Sequence, residues 1–195
     1  ERYYFIIMLF TIIEQIINVL WFTLPSYVAN PGAVIFKGKT PLDFNKNFLD
    51  GRRILGKGKT WRGFFGGALT GIFIGLVEII ISFLVPNNYL IKFSNSITDS
   101  IFIVIILSFG SMLGDSVGSF IKRRLKIESG SNVLILDQYP FIIISLFLIY
   151  IFYQSQFFKI VWNPVAIITL IIYTPLIHRF VNIIGYKLGK KEVPW

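Results

Sequence analysis

Cysteine is absent from the 195 residues of this chain, and charged residues are scarce. Without cysteine the chain has no disulfide, no thiolate zinc site and no cysteine nucleophile. Only 15% of its residues are charged, against about a quarter in a typical soluble domain, whereas 54% are hydrophobic. A mean hydropathy of +0.69 is also too high for a disordered chain or a soluble domain of this size. The composition therefore predicts an integral membrane protein.

Acidic residues number only 10, against 19 lysines and arginines, and histidine occurs once. In a membrane protein this excess of positive charge is interpreted as a topology signal and as an anion-binding surface. It is not interpreted as a DNA-binding patch, so no nucleic acid partner is expected. The single histidine, His178, lies beside Arg179 late in an apolar stretch. It is interpreted as a packed or interfacial histidine rather than a catalyst.

Five apolar stretches are long enough, or nearly so, to cross about 30 Å of hydrocarbon, which takes roughly 20 residues. They lie at 3–24, 64–85, 100–121, 140–158 and 165–185. The sequence therefore predicts an all-α membrane protein with about five transmembrane helices, forming a single polytopic domain over residues 1–195. The fourth stretch is the weakest, because it runs into the polar residues Gln154, Ser155 and Gln156.

The positive charges are distributed unevenly between the two sides of the predicted membrane. Loops 25–63 and 122–139, together with the C-terminal tail and Arg179, hold 16 of the 19 lysines and arginines. By the positive-inside rule this side is cytoplasmic, which puts the N-terminus outside and the C-terminus in the cytoplasm. Neither loop is long enough for an independent domain. We therefore expect the two loops to form an active site at the cytoplasmic surface of a multi-pass cell-membrane protein.

Glycines recur at every fourth position in the second and third apolar stretches. They are Gly63, Gly67, Gly71 and Gly75 in one stretch, and Gly110, Gly114 and Gly118 in the other. Glycine at this spacing gives a helix a flat face against which a second backbone packs closely in lipid. The stripes predict helix–helix contacts, either within the fold or between the subunits of a homo-oligomer.

Two aspartates lie at the predicted cytoplasmic surface. Asp115 lies inside the third apolar stretch, where a carboxylate is costly and is a functional candidate by default, and Ser119 and Lys122 share its helix face. Asp137 lies just before the fourth stretch on the same side. Two carboxylates with no histidine or cysteine nearby suit Mg²⁺ better than zinc. The alternative is a structural ion pair between Asp115 and Lys122 at the helix end.

A glycine-rich basic segment, residues 50–63, directly precedes the second apolar stretch and contains five cations and four glycines. Glycines let backbone N–H groups approach phosphate, and a following helix N-terminus attracts anions. Gly58-Lys59-Thr60 matches the end of a Walker P-loop, but Arg53 stands where that motif requires glycine and no strand precedes it. The segment therefore predicts an anion site of another kind. Ordinary positive-inside charge with attraction to anionic lipid is the alternative.

The chemistry that suits these parts is nucleotidyl or phosphoryl transfer onto a lipid. A phosphomonoester has a second pKa of about 6, so it is already a nucleophilic dianion near pH 7 and needs no general base. The reaction needs charge neutralisation, in-line positioning and a metal ion, which lysines, arginines and Mg²⁺ would supply. Asparagines and aspartates in the first loop are candidates for base or ribose contacts, with turn formation as the alternative.

Several sequence strings resemble the archaeal CDP-archaeol synthases. They are Pro-x-Tyr-x-x-Asn at 25–30, Thr-Pro-x-Asp-Phe at 40–44, Asn-Phe-x-Asp-Gly-x-Arg-Ile-Leu-Gly-x-Gly-Lys-Thr-Trp-Arg-Gly at 47–63, Gly-Asp-x-x-Gly-Ser-Phe-x-Lys-Arg-Arg at 114–124, Leu-Asp-Gln at 136–138 and Lys-Lys-Glu-Val-Pro-Trp at 190–195. The similarity covers nearly the whole chain. More distantly, the residues from Asp115 to Asp137 resemble the signature of phosphatidate cytidylyltransferases, although Leu134-Ile135-Leu136 replaces the Gly-Gly before the second aspartate.

The resemblance implies Mg²⁺-dependent transfer of a cytidylyl group from CTP to 2,3-bis-O-geranylgeranyl-sn-glycerol 1-phosphate, with release of pyrophosphate. It implies that Asp115 and Asp137 hold the metal and act with Lys122 in catalysis. The residues that would surround the phosphates are Lys57, Lys59, Thr60, Arg62, Ser119, Lys122, Arg123 and Arg124. Those that would shape the nucleotide pocket are Asn30, Asp43, Asn47, Asp50, Arg52 and Arg53. The isoprenoid chains would lie in an apolar groove open to the bilayer.

Two other functions remain open at this point. A CTP-dependent lipid kinase would use a similar site but would release CDP instead of pyrophosphate. A non-enzymatic transporter or assembly subunit would account for Glu14 and Glu78 inside the apolar stretches and for the glycine stripes.

Overall fold

The computed structural model describes residues 2–85, 91–128 and 131–189, and every regular element in these residues is helical, as the sequence predicts. The helices are α1 (Arg2–Ile35), α2 (Trp61–Leu84), α3 (Ile97–Arg124), α4 (Leu134–Gln138), α5 (Pro140–Phe152), α6 (Gln154–Gln156) and α7 (Pro164–Lys187), with a π-helical turn at Phe157–Val161. The predicted tail lysines Lys190 and Lys191 and the motif at 190–195 lie outside the described residues.

Within the described residues, four helices are long and apolar enough to cross a membrane, namely α1, α2, α3 and α7. The predicted fourth span, 140–158, is not one continuous helix, because α5 is only 13 residues long and ends at Phe152. Tyr153 leaves helical geometry with φ −136° and ψ 56°, at the start of the polar run that follows. The regular apolar helix therefore ends where the polar residues begin.

Helix α1 is longer than the predicted first span, because it continues through Pro25 and Pro31. The prediction that a loop begins at residue 25 is wrong, and the first loop is confined to residues 36–60. Proline removes a backbone donor and crowds the preceding turn, but contacts with neighbouring helices keep a membrane helix intact through it. Here the glycine face of α2 packs against this part of α1, with Gly71 directly beside the Pro25 carbonyl group.

The second predicted loop, 122–139, is also shorter than expected. Helix α3 continues to Arg124, and residues 134–138 form the short helix α4. The first loop, residues 36–60, and the residues that follow α3 lie at one end of the helix bundle, which we call the loop end.

Helix α3 contacts α2 on one face and the α4–α5 segment on another. On the second face, Gly114 lies against the Pro140 carbonyl group and Gly118 against the Leu136 carbonyl group, so close that a methyl group at either glycine would overlap them. The predicted use of the glycine stripes for helix contacts within the fold is confirmed, whereas association between subunits stays a prediction. Because of this close approach, Asp137 is brought to the end of α3.

Hydroxyl groups join the helices inside the bundle. Ser26 on α1 donates a hydrogen bond to the Leu107 carbonyl oxygen on α3 at 3.0 Å, and Ser111 on α3 donates to the Ser26 carbonyl oxygen at 2.8 Å. The hydroxyl groups of Tyr27 on α1 and Thr174 on α7 are 2.6 Å apart. These buried bonds satisfy polar groups that have no water in an apolar interior and fix the helices relative to one another.

Replacing Gly114 with alanine tests the backbone contact between α3 and α5. The added methyl group would meet the Pro140 backbone, and overpacking of this kind costs about 1–3 kcal/mol. We therefore expect Gly114→Ala to lower the melting temperature of the detergent-solubilised protein. Gly58→Ala is the matched control, because the space around Gly58 is open within 4 Å. Equal melting temperatures for Gly114→Ala and the unmodified protein would contradict the described contact.

Candidate active site

A cavity of about 1100 Å³ lies at the loop end, between loop 36–60 and helices α1, α3, α4 and α7. Its basic lining residues are Lys37, Arg52, Arg53, Lys57, Lys59, Lys122, Arg123 and Lys126, and its acidic ones are Asp115, Glu128 and Asp137. Among the described residues, positive charge therefore dominates the lining. A concave surface with this charge concentrates and orients a polyanionic ligand.

One wall of the cavity contains an ion pair between Lys59 in the loop and Asp115 on α3. The two residues are 56 positions apart in the sequence, and their side chains are 28% and 30% exposed, respectively. The loop is held here by a second contact, since the Gly56 N–H donates to the Ser119 hydroxyl oxygen at 2.9 Å. Asp115 therefore faces the cavity with a loop lysine as its counter-ion.

A second ion pair joins Lys122 on α3 to Asp137 on α4. The Lys122 ammonium group donates to Asp137 Oδ1 at 2.7 Å and to the Ser131 carbonyl oxygen at 2.6 Å, and its side chain is only 9% exposed. The other carboxylate oxygen, Oδ2, accepts a hydrogen bond from the Val133 N–H at 2.8 Å. The alternative interpretation of Asp115 and Lys122 as a structural pair is therefore wrong, because each has a different counter-ion.

Asp43 organises the fold of the first loop. Its buried carboxylate accepts hydrogen bonds from Arg53 Nη2 at 2.7 Å, from Arg53 Nε at 3.2 Å, and from the backbone N–H groups of Leu55 and Asn45, both at 3.0 Å. Burial opposes ionisation, but the bonds from Arg53 and the backbone outweigh it, so the pKa of Asp43 lies below its ordinary value of 3.8. Asp43 does not line the cavity and shapes the loop instead.

Arg124 fastens the same loop to the end of α3. Its Nη1 donates to Asp50 Oδ1 at 2.9 Å and its Nη2 donates to the Arg53 carbonyl oxygen at 2.6 Å. The guanidinium group also lies over the Phe48 and Phe120 rings, 4.8 Å and 4.9 Å from their centroids. A planar guanidinium makes such forked and stacked contacts at once, which lysine does not. Arg124 and Asp50 therefore position the loop rather than line the cavity.

The structure divides the sequence-predicted site residues into two groups. Those that line the cavity are Asn30, Arg52, Arg53, Lys57, Lys59, Thr60, Asp115, Ser119, Lys122, Arg123 and Asp137. Those outside its lining are Asp43, Asn47, Asp50, Arg62 and Arg124. Among the first group, Thr60 also caps α2, because its hydroxyl oxygen accepts from the Gly63 and Gly38 N–H groups, each at 3.1 Å. Asn30 projects from α1 and not from a loop.

Helix α7 contributes cavity residues that sequence reasoning missed. His178 Nδ1 and Asn182 Nδ2 are 3.1 Å apart, one helical turn from each other, and both side chains line the cavity with Gly185. The interpretation of His178 as a packed or interfacial histidine did not include this position in the cavity lining. The spacing of 178, 182 and 185 places the three on one helix face, which was the available signal. Ser116, beside Asp115 on α3, also lines the cavity and was not predicted.

The carboxylates that suggested the transporter alternative lie away from the cavity. Glu78 is buried within α2 at 2% exposure, and Glu14 is exposed on α1. Neither lines the cavity at the loop end.

Asp115 and Asp137 are chemically suited to Mg²⁺. The described residues contain no group of three or more His, Cys, Asp or Glu side chains placed to hold a metal ion. Mg²⁺ does not require one, since it is commonly bound by one or two carboxylates together with water and phosphate oxygens. Two partly exposed carboxylates that line the same basic cavity fit this mode of binding, in which a phosphate ligand completes the coordination.

Comparison with known proteins gives a consistent set of similarities. The family model described as CarS-like, CDP-archaeol synthase, matches residues 12–195. Curated proteins named CDP-archaeol synthase from Picrophilus torridus and Pyrococcus horikoshii are 42% and 43% identical over 183 residues, which cover 94% and 93% of this chain and 98% of each relative. A solved structure, described as an intramembrane enzyme for archaeal membrane lipids biosynthesis, is 30% identical with a TM-score of 0.66. That match covers 84% of this chain and 92% of the other.

The Asp43 carboxylate predicts a specific pH dependence of stability. Because folding lowers its pKa, the stabilisation is fully present above the ordinary value of 3.8 and is lost as the pH falls towards the folded-state pKa. We expect Asp43→Asn to lower the melting temperature most above about pH 5 and less as the pH falls below that range. Thermal unfolding in detergent between pH 3 and pH 7, with Asn47→Ala as a loop control, measures this. A melting difference that does not change with pH would contradict the prediction.

Proposed function

The chain belongs to the CDP-archaeol synthase family, and we propose that its reaction takes place in the cavity between loop 36–60 and α3. The reaction is the transfer of the cytidylyl group of CTP to an archaeal lipid phosphate. Membership of this family excludes the kinase and transporter alternatives. The observation that carries the proposal is that Asp115, Asp137 and most of the predicted phosphate-binding residues line one cavity. That cavity lies at one end of the apolar helices of a multi-pass membrane protein.

The basic side chains of the cavity would bind the triphosphate and the lipid phosphate. Both substrates are anions, so their approach is opposed by mutual repulsion until positive charge is placed between them. Lys57, Arg52 and Arg123 line the cavity beside the two ion pairs. The lipid phosphate, already a dianion near pH 7, would then attack the α-phosphorus of CTP without a general base, and pyrophosphate would leave.

Asp115 and Asp137 would hold Mg²⁺. When bound, the ion would neutralise negative charge on the transferring phosphate groups. Lys122 would act beside it as a catalytic cation, because its ammonium group is held in place by Asp137 Oδ1 and the Ser131 carbonyl oxygen. Ser119 would position the glycine-rich segment by accepting the Gly56 N–H bond.

The isoprenoid chains of 2,3-bis-O-geranylgeranyl-sn-glycerol 1-phosphate would lie between α1 and α7. Apolar residues that these helices contribute to the cavity lining include Ala33, Val34, Ile35, Ile177, Val181 and Ile184. A cavity that is basic on the loop side and apolar on the helix side matches a ligand with a charged head and hydrocarbon tails. This arrangement would let the lipid stay in the bilayer while its phosphate reaches CTP.

We place the cavity on the cytoplasmic side of the membrane, with the N-terminus outside. The basic residues concentrated at the loop end support this orientation by the positive-inside rule. The orientation also puts the site where cytoplasmic CTP is available.

Charge-neutralising variants of the two carboxylates test the assignment of the site. We expect Asp115→Asn and Asp137→Asn each to reduce turnover at least about 100-fold, since each removes an anionic ligand of the metal ion. Purified protein in detergent would be assayed with CTP, Mg²⁺ and the lipid phosphate, following CDP-lipid and pyrophosphate, with EDTA abolishing both. Asp99→Asn is the matched control, because Asp99 lies in the first turn of α3, at the opposite end of that helix from Lys122. Near-normal turnover in either cavity variant would remove that residue from the metal site.

A further inference from the structure

We propose that Lys59 is an exchangeable counter-ion for Asp115, which releases the carboxylate to a divalent cation as its own ammonium group moves to a nucleotide phosphate. This inference rests on the proposed function, in which Asp115 is a metal ligand. It adds a positioning role for Lys59 that couples the binding of metal to the binding of nucleotide.

The two lysine–aspartate pairs in the cavity differ in how firmly the lysine is held. Lys122 is almost fully buried and donates to two acceptors, Asp137 Oδ1 and the Ser131 carbonyl oxygen. Lys59 is 28% exposed, and among the described residues Asp115 is its only side-chain acceptor. A lysine with one acceptor and access to solvent exchanges ligands more readily than one fixed by two acceptors in a buried position.

The surroundings of Lys59 allow its side chain to move while its backbone stays in place. The Lys59 N–H donates to the Gly56 carbonyl oxygen at 3.0 Å, and the Lys59 carbonyl oxygen accepts from the Leu42 N–H at 2.8 Å. The side chain itself lines the cavity and is partly exposed. This four-carbon side chain is flexible and its ammonium group is a point charge without the fixed geometry of arginine. The surrounding loop is held independently by Asp43 and by Arg124, so Lys59 can move without unfolding it.

Competition at Asp115 follows from charge. An ammonium group and a divalent cation both require the negative charge of this carboxylate, so the Lys59 pair opposes cation binding. A triphosphate in the cavity offers Lys59 other oxygens, and the ammonium group keeps its proton throughout. By linkage, nucleotide then raises the affinity for the metal, and the metal raises the affinity for nucleotide by the same factor.

The experiment is a titration of the purified protein in detergent with Mn²⁺ alone, followed by electron paramagnetic resonance. We expect Lys59→Gln to tighten Mn²⁺ binding about tenfold, because it removes the competing ammonium group from Asp115. Lys57→Gln is the matched control, since Lys57 also lines the cavity but forms no ion pair within the described part of the chain. Its effect, a loss of general positive charge, is expected to stay below about threefold.

Two further variants make each outcome decisive. Lys59→Arg keeps a cation beside Asp115 and should bind Mn²⁺ as weakly as the unmodified protein. Asp115→Asn added to Lys59→Gln should remove the gain.

Equal Mn²⁺ affinity in Lys59→Gln and the unmodified protein would overturn the exchange of Lys59. A rise in Mn²⁺ affinity in Lys57→Gln as large as that in Lys59→Gln would overturn it too. Either result leaves the cytidylyl transfer reaction intact. If Lys59→Gln with Asp115→Asn bound Mn²⁺ as tightly as Lys59→Gln alone, Asp115 would not be a ligand of the metal ion, and the metal site of the proposed function would be wrong.

Discussion

The close approach of other backbones to α3 is the constraint on which the rest of the structure depends. Gly114 and Gly118 allow the α4–α5 segment to pack closely against α3. The glycines of α2 allow α2 to pack closely against α1 and against the other face of α3. In lipid there is little hydrophobic driving force between helices, so such contacts and a few buried hydroxyl bonds provide the association. The position of Asp137 beside Lys122 is a direct consequence of this packing.

Loop 36–60 at the loop end is held by polar interactions instead of an apolar core. The Asp43 carboxylate accepts hydrogen bonds from Arg53 and from two backbone N–H groups, and Arg124 joins the folded loop to α3. Charge-assisted hydrogen bonds of this kind are among the stronger polar contacts in proteins. Because these residues fix the loop, Lys57 and Lys59 of the glycine-rich segment line the cavity. Charges that hold the loop and charges that line the cavity are thus close in sequence, and Arg53 belongs to both sets.

Sequence reasoning selected residues that line the cavity where their presence in or beside an apolar helix is energetically costly. Asp115 inside an apolar helix and the glycine-rich basic segment beside it are of this kind, and both contribute to the cavity. The same reasoning did not separate Asp43 and Asp50 from the residues that line the cavity. In the sequence, a carboxylate that accepts hydrogen bonds from an arginine cannot be distinguished from one that contacts a nucleotide.

The remaining differences arise from tertiary contacts that no local pattern contains. Pro25 and Pro31 predict the end of α1, but packing against α2 maintains the helix beyond them. The counter-ion of Asp115 is Lys59, 56 positions away, because the loop folds back onto α3. His178 lies in the cavity only because α7 closes one wall of it, which requires knowing how the helices are arranged.

The absence of cysteine makes a direct test of the central claim straightforward, because any introduced cysteine is unique. Ser116→Cys places a thiol on α3 in the lining of the cavity. Leu49→Cys places one outside the lining, in loop 36–60, where Leu49 is 96% exposed. The measurement is the rate of labelling by a water-soluble maleimide with and without CTP and Mg²⁺. We expect CTP to slow the labelling of Ser116→Cys and to leave the labelling of Leu49→Cys unchanged. Equal labelling of Ser116→Cys with and without CTP would contradict this expectation.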